Sequence, residues 1–258
     1  MNPMKKYVMD LVLTRITELR PGYVELRLAR PDGKMPAMVP GQFFEVRIDD
    51  TPSKFLRRPI SVNNVKDDEL WLLVHAVGNG TQWIANRHLG DTLNVIGPLG
   101  NGFDMDAAGG RPLLVGGGVG TAPMLYLGQQ FVRAGAKPIF LLGGRSASDL
   151  LQLEHFQALG EVLLTTEDGS AGETGFVTQH TVWKEARFTG ICTCGPKPMM
   201  WAVARQAKAA GIGCQASLEN MMACGLGACL CCVEKTVDGN LCVCKEGPVF
   251  DTSKLIIE

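Results

Sequence analysis

The sequence has no run of about 18 uncharged apolar residues and therefore predicts no membrane-spanning helix. Residues 1–20 also lack the uninterrupted apolar stretch and the small-residue cleavage site of a signal peptide. Charged residues make up 20% of the chain and the net charge at pH 7 is -1, which provides no electrostatic basis for binding nucleic acid or an anionic membrane. We therefore expect a cytoplasmic protein with neither of these partners.

Histidine is scarce, with four residues scattered along the chain and none after residue 180. No grouping of nucleophile and base typical of covalent catalysis is evident. A Rieske-type iron–sulfur site needs two histidines, which the C-terminal part of the chain does not supply. What remains is a globular composition, 46% hydrophobic over 258 residues, long enough for two domains or for one large domain with appendages.

Cysteine is concentrated in one place, because six of the nine residues lie within 221–244. An odd total in a cytoplasmic protein argues against a disulfide framework. The subset Cys224-x4-Cys229-x2-Cys232, followed later by Cys244, has the spacing of plant-type [2Fe–2S] ligation. An iron–sulfur cluster is therefore the favoured interpretation of this segment.

Two alternatives to the cluster stay open, a zinc site and a group of unliganded thiols. Zinc ribbons usually present two C-x2-C pairs, and only 229–232 fits that pattern. Gly225 and Gly227 favour the cluster, because they let the loop wrap with its N–H groups facing the sulfurs. The spacing leaves the fourth ligand open between Cys242 and Cys244, since alternate residues of one strand point the same way.

The N-terminal part of the sequence predicts an antiparallel β-barrel. Short segments rich in β-branched and aromatic residues follow one another closely, separated by turn clusters, with little helix between them. The predicted strands are 23–29, 42–48, 60–65, 69–77 and 92–97, and the predicted helix is 81–89.

After Gly110 strands and helices alternate, which predicts a doubly wound parallel sheet. The predicted strands are 112–118, 137–146, 161–168 and 190–196, and the predicted helices are 121–135, 149–160 and 198–211. We expect three domains: the barrel at 1–104, the α/β domain at 105–214 and a small cysteine-rich domain at 215–258.

Glycine-rich loops occur where strands end. VGGGVGTAP (115–123) joins a strand to a helix, and the N–H groups there suit a phosphate, although a plain tight turn is the alternative and the G-x-G-x-x-G fingerprint is not met. CGPKP (194–198) ends a later strand of the same sheet, at the edge where ligands of such sheets bind. In the barrel, RRPIS (57–61) offers Arg58 for a pyrophosphate while the neighbouring arginine can be solvated, and an ordinary surface pair of arginines is the alternative. VGNGT (77–81) precedes a helix.

Together these motifs resemble the ferredoxin–NADP reductase superfamily. The tail motifs SLENMMACGLGACLCC (217–232) and VCKEGPVF (243–250) are similar to those of the electron-transfer subunits of class B dihydroorotate dehydrogenases. The resemblance covers essentially the whole chain in the expected order, and the tail is its most specific part.

This resemblance implies FAD on the barrel, NAD on the parallel-sheet domain and a [2Fe–2S] cluster in the tail. One cysteine precedes K-x-G-P-V-F in the family pattern, which favours Cys244 over Cys242. The implied FAD-binding residues are Arg58, Pro59, Ile60, Ser61, Leu73, Val74, His75, Gly80 and Thr81. The implied NAD-binding residues are Gly117, Gly118, Gly120, Thr121, Cys194, Gly195 and Pro196, and the implied cluster ligands are Cys224, Cys229, Cys232 and Cys244.

The resemblance also implies an NAD-linked oxidoreductase subunit of pyrimidine biosynthesis. Electrons from dihydroorotate would arise at FMN in a separate catalytic subunit, pass through the cluster to FAD and reach NAD+ as a hydride, in a heterotetramer with two copies of each subunit. Hydride transfer needs no general base, so no catalytic residue is expected, although Cys194 is a candidate neighbour of the nicotinamide.

Alternative interpretations remain at this point. One is a related iron–sulfur flavoprotein subunit that serves ferredoxin, sulfide or polysulfide chemistry, and another is a zinc-stapled binding module without redox activity. The residues alone leave NAD and NADP open, because Arg145 and Ser146 also suit a 2′-phosphate. The direction of electron flow is open as well, since cluster potentials span a wide range.

Overall fold

The N-terminal part of the chain is a closed barrel of six antiparallel strands, seen in a computed structural model that describes residues 5–49, 55–185 and 187–257. The order around the barrel is β1-β2-β5-β4-β3-β6. The strands are β1 (Tyr7–Arg20), β2 (Tyr23–Ala29), β3 (Phe43–Val46), β4 (Arg58–Lys66), β5 (Glu69–His75) and β6 (Thr92–Leu99), and helix α1 (Asn79–Ala85) connects the last two. The predicted antiparallel barrel is confirmed.

Strand β1, which the sequence analysis did not identify, closes the barrel by pairing with both β2 and β6. Its alternate residues Met9, Leu11 and Leu13 are buried in the barrel core, whereas intervening positions face outward. A register shift between Leu13 and Arg15 bends the strand from one neighbour toward the other. The alternation of buried and exposed residues from Met9 to Leu13 is typical of a strand, but the charged residues that follow interrupt this pattern.

The second unit is a sheet of seven strands in the order β10-β9-β8-β7-β11-β12-β15. Neighbouring strands are parallel except for β15, which is antiparallel to β12. The strands are β7 (Leu113–Gly117), β8 (Ile139–Gly144), β9 (Glu161–Thr166), β10 (Glu173–Thr174), β11 (Ile191–Cys194), β12 (Cys214–Ser217) and β15 (Val249–Asp251). The predicted parallel-sheet domain is confirmed.

The helices of this unit differ in extent from the predictions. The predicted helix 149–160 is wrong, because a 3-10 turn at Ala147–Asp149 and the short α4 (Leu153–Gln157) flank Gln152, whose φ is +55°. The others are α2 (Met105–Ala108), α3 (Ala122–Arg133), α5 (Val182–Glu185) and α6 (Lys197–Ala209). No helix in the described part of the chain is long and apolar enough to cross a membrane.

The C-terminal segment packs between the barrel and the edge of the sheet. A hairpin of β13 (Val233–Thr236) and β14 (Gly239–Cys242) leads into α7 (Val243–Glu246), and β15 then joins the sheet beside β12. The apolar cluster here joins Phe43 and Leu99 of the barrel to Trp201 of α6 and to the tail. The division into domains at residues 104 and 214 stays a prediction.

Candidate functional site

Two adjoining cavities lie between the barrel and the parallel sheet. We call them the barrel cavity, of about 540 Å³, and the nucleotide cavity, of about 840 Å³. His75, Val119 and Glu219 line both, so the two cavities are direct neighbours, and we call them together the cleft. Each volume is in the range of small-molecule and cofactor sites.

The barrel cavity contains most of the residues that the sequence analysis assigned to FAD. Those lining it are Arg58, Pro59, Ile60, Ser61, Leu73, His75 and Thr81. Two others contribute differently: Val74 points into the barrel core and is fully buried, and Gly80 lies beneath Arg58. A Cβ atom at Gly80 would lie 2.4 Å from Arg58 Nε, so the glycine makes room for this guanidinium.

The two adjacent arginines of the RRPIS motif both line the barrel cavity. Arg57 donates to Asn94 Oδ1 at 2.6 Å and to the carbonyl of Glu45 at 3.2 Å, so the expectation that this arginine is solvated is wrong. Arg58 donates from Nη1 to the carbonyl of Leu56 at 2.7 Å and keeps other N–H groups for a ligand. An anion in this cavity therefore meets a fixed cation.

The nucleotide cavity is formed by the two glycine loops at the carboxyl ends of adjacent strands β7 and β11. The loops touch, since a Cβ atom at Gly120 would lie 2.4 Å from the Cα atom of Gly195. Thr121 and Cys194 are buried behind the wall, and Thr121 Oγ1 donates to the carbonyl of Gly118 at 3.0 Å. The predicted residues that line the cavity are Gly117, Gly118, Gly120, Gly195 and Pro196.

Glu219 is a site residue that sequence reasoning missed. It lines both cavities, and although its side chain is exposed to them, the protein packed around the carboxyl removes much of its hydration and so raises its pKa. Cys194 donates from Sγ to Glu219 Oε1 at 3.6 Å, and burial raises the pKa of this thiol well above its usual value. Its signal in the sequence is a single carboxyl two residues after the end of strand β12, at the carboxyl ends of the parallel strands.

The cysteine loop turns its backbone donors toward sulfur. The N–H of Leu226 donates to Cys224 Sγ at 3.3 Å, and that of Gly227 donates to Cys244 Sγ at 3.1 Å. Gly225 and Gly227 have φ of +66° and +81°, which permits this wrapping. Burial alone would raise the pKa of Cys224, but the N–H donors, led by Leu226, lower it to about 6, so the thiolate is favoured.

The four predicted cluster ligands lie in two pairs. Cys224 is within hydrogen-bonding reach of Cys229, and Cys232 of Cys244. Among the residues that the structure describes, no three His, Cys, Asp or Glu side chains are placed to hold a single metal ion. Paired thiols with facing N–H groups suit a two-iron cluster, which shares four thiolates between its irons, better than a single zinc ion.

The structure separates Cys242 from Cys244. The premise that both lie on one strand is wrong, because β14 ends at Cys242 and the chain turns into α7. The backbone N–H of Cys244 donates to Cys232 Sγ at 3.4 Å. Burial and the neighbouring thiol of Cys232 raise the pKa of the Cys244 thiol to about 12. Cys242 lacks a comparable contact with the loop N–H groups, so the geometry supports Cys244.

Comparison with known proteins defines the class first. Residues 114–205 match the family model of the oxidoreductase NAD-binding domain, and residues 219–256 match that of the iron–sulfur cluster binding domain of dihydroorotate dehydrogenase B. A chain of the NADH-dependent reduced ferredoxin-NADP oxidoreductase superposes with a TM-score of 0.84 at 27% identity over 96% of this chain and 90% of that one. The ferredoxin reductase of carbazole 1,9a-dioxygenase, at 21% identity and a TM-score of 0.68 over 80% and 67% of the two chains, shares the fold. The class is a ferredoxin reductase-like oxidoreductase with an added iron–sulfur domain.

Curated relatives narrow this class. The dihydroorotate dehydrogenase B (NAD(+)) electron transfer subunit of Lysinibacillus sphaericus is 41% identical over 83% of this chain and 85% of its own length. The subunit of the same name from Shouchella clausii is 38% identical over 84% and 86%. The chain belongs to the family of dihydroorotate dehydrogenase B (NAD(+)) electron transfer subunits, which confirms the resemblance read from the motifs.

Proposed function

We propose that this chain is the electron-transfer subunit of an NAD-dependent dihydroorotate dehydrogenase. Electrons released from dihydroorotate at FMN in a catalytic subunit pass through the [2Fe–2S] cluster and FAD to NAD+, in pyrimidine biosynthesis. The observation that carries this proposal is the cleft: the two cavities share His75, Val119 and Glu219, and the barrel cavity is also lined by the segment 217–222 and by Cys231 of the cysteine loop.

The residues that line the cleft divide the binding tasks among themselves. Arg58, for which Gly80 makes room, would bind the FAD pyrophosphate, and the touching loops at Gly120 and Gly195 would bind the NAD pyrophosphate. Cys194 and Glu219 meet at the junction of the cavities, where the nicotinamide and the flavin ring would lie together. When bound, FAD supplies the exchange between one-electron chemistry and hydride chemistry.

The exposed side of the cysteine loop is the proposed entry point for electrons. Cys229 is exposed, and three apolar side chains of the same segment, Met221, Leu226 and Leu230, are 82%, 44% and 65% exposed. Exposed apolar side chains on a segment that would hold a redox group suit a protein partner. We assign it to the FMN-containing catalytic subunit, in a heterotetramer with two copies of each chain; cytoplasmic location stays a prediction.

Co-expression with a candidate FMN-containing partner tests this function. We expect the two chains to purify together anaerobically and to reduce NAD+ when dihydroorotate is added, with NADP+ reduced far more slowly. A surface variant, Leu230→Glu, tests the proposed contact with the partner. It should lower co-purification, whereas the NADH-dependent reduction of an artificial acceptor, which needs no partner, should stay unchanged.

A second candidate function is that of a related reductase subunit serving ferredoxin or sulfide and polysulfide chemistry. It is favoured by the structural match to a ferredoxin-linked oxidoreductase over nearly the whole chain. Reduction of ferredoxin or polysulfide by NADH without a dihydroorotate-oxidising partner would support this alternative and count against the first proposal.

A further inference from the structure

Strand β3 carries a buried carboxyl that the function described so far does not use. Glu45 is 0% exposed, and neither Oε1 nor Oε2 has a hydrogen-bond partner among the described residues. Its neighbours Phe44 and Val46 point into the barrel core, so Glu45 and Phe43 point outward, under the C-terminal segment. A buried carboxyl without a hydrogen-bond partner is destabilising unless a bound group satisfies it.

The carboxyl group of Glu45 lies against the cysteine loop. A Cβ atom at Gly225 would lie 2.7 Å from Glu45 Cγ and 3.0 Å from Oε1, so the glycine between Cys224 and Leu226 admits the carboxyl. Glu45 therefore places a polar side chain of the barrel next to the proposed cluster site.

The nearest cation does not pair with this carboxyl. Arg57 donates to the backbone carbonyl of Glu45 and to Asn94, leaving Oε1 and Oε2 without a partner. An ionised carboxylate that is buried without an ion pair or a hydrogen-bond partner is costly, so the neutral acid is the favoured form of Glu45 in this position. A bound cluster with four thiolates would bring negative charge to the same place and favour the neutral acid further.

We propose that Glu45 is held as a neutral acid and donates a hydrogen bond from its carboxyl O–H to a sulfur atom of the iron–sulfur site, which raises the reduction potential of the cluster. Hydrogen bonds to the sulfurs are among the factors that set cluster potentials, because they stabilise the more negative, reduced form. Glu45 is thus a positioning and tuning residue, and this inference rests on the proposed function.

The test compares Glu45→Gln with Glu45→Leu in the purified chain carrying FAD and cluster. Gln keeps an N–H donor at this position, and Leu removes it in a similar volume. At a fixed solution potential, the ratio of reduced to oxidised cluster, measured by electron paramagnetic resonance, is expected to fall about tenfold in Glu45→Leu. It should stay within about twofold of the wild type in Glu45→Gln. Glu25→Gln is the control, since Glu25 is a buried barrel carboxyl already bound by Arg27 and Gln152.

Three outcomes would overturn the inference: an unchanged ratio in Glu45→Leu, an equal rise in both variants, which an ionised carboxylate would produce, or loss of iron from both. Loss of iron from Glu45→Leu alone supports the donor role, because the cluster then needs the hydrogen bond to assemble. Iron analysis of the wild type distinguishes failure of the proposed function from failure of the role of Glu45. A wild type without iron contradicts the proposed function, whereas an iron-containing wild type with unaffected variants contradicts only the role of Glu45.

Discussion

At the scale of single residues, function depends on which sulfur atoms face the loop N–H groups. Leu226 and Gly227 donate to Cys224 and Cys244, and Cys244 itself donates to Cys232. Cys242 is only two positions from Cys244 and is also buried, but it ends a strand and receives none of these donors. The neighbouring cysteines are therefore not equivalent.

Replacement of these two cysteines separates the ligand from its neighbour. We expect Cys244→Ser to lose most of its iron and acid-labile sulfide, because a serine hydroxyl is a poor substitute for a cluster thiolate. Cys242→Ser should keep its iron to within about a quarter of the wild-type content. Metal analysis of anaerobically purified protein measures both, and the reverse pattern would assign the fourth ligand to Cys242.

A second residue-scale prediction concerns the junction of the cavities. Cys194→Ser is expected to slow reduction of the flavin by NADH about tenfold without releasing FAD, since the thiol and Glu219 meet where the nicotinamide would bind. Stopped-flow measurement of flavin bleaching gives the rate. Cys192→Ser, on the same strand and equally buried, controls for a general loss of packing. Equal rates for Cys194→Ser and wild type would refute the role.

At the scale of elements, the nucleotide cavity exists because two strand-to-helix turns approach without side chains between them. Gly120 lies against the backbone of Cys194 and Gly195, so the turn after β7 rests on the turn after β11. Pro123 and Pro198 occupy the first turns of α3 and α6, which is compatible with their missing N–H groups. The two turns thus line the cavity largely with glycine backbone rather than with side chains.

Adding one methyl group at this contact tests the arrangement. Gly120→Ala places a Cβ atom 2.4 Å from the facing backbone, so the loops must move apart. We expect NAD to bind at least tenfold more weakly, while FAD and iron contents stay unchanged. Gly110→Ala is the matched control, because a Cβ atom there meets nothing within 4 Å. Calorimetric titration with NAD provides the comparison, and equal affinities in the two variants would contradict the account.

The sequence predicted the elements with strong local signals and missed those that depend on the whole fold. Segment 23–29 matches β2 residue for residue, because alternation and turn residues mark it on both sides. Strand β1 was missed because charged residues interrupt its pattern, and β15 because three residues are too few to show a period. Glu45 could not be recognised as buried, since its outward face is covered only by the distant tail.

Site residues were predicted well where a motif has a fixed spacing and less well where only proximity in sequence supported them. Motifs whose chemistry depends on spacing, such as the cysteine loop and the glycine turns, identified side chains that the structure brings together. Val74 is a neighbour in sequence of cavity residues, but alternation turns it into the barrel core. The assignment of these residues to FAD, NAD and the cluster stays a prediction.

At the scale of the whole molecule, a polar network joins the barrel to the parallel sheet. Asn63 donates from Nδ2 to the carbonyl of Ala122 at 3.0 Å and to Gln152 Oε1 at 3.1 Å. Gln152 donates in turn to Glu25 Oε2 at 2.8 Å. The network lies beside the cleft, since Ala122 lines the barrel cavity, and it fixes one cavity relative to the other.

Removal of one member should loosen this arrangement. Asn63→Ala removes the hydrogen bonds that Asn63 makes with the Ala122 carbonyl and with the Gln152 amide, and we expect a loss of about 1–3 kcal/mol in the free energy of unfolding. The rate of electron transfer between NADH and the cluster should fall as well. Urea unfolding monitored by fluorescence measures the first effect. Within the described residues the Asn64 side chain accepts from its neighbour Val65 and takes no part in the network, so Asn64→Ala should cost less; an equal cost would show that the network does not join the units.

The most direct test of the electron-relay account is electron paramagnetic resonance of the purified chain after anaerobic addition of NADH. The account predicts about two irons and two sulfides per bound FAD, and a reduced [2Fe–2S] signal that appears as the flavin is reduced and is lost in Cys244→Ser. A chain that binds zinc or no metal, or whose cluster stays oxidised while NADH reduces the flavin, would contradict it.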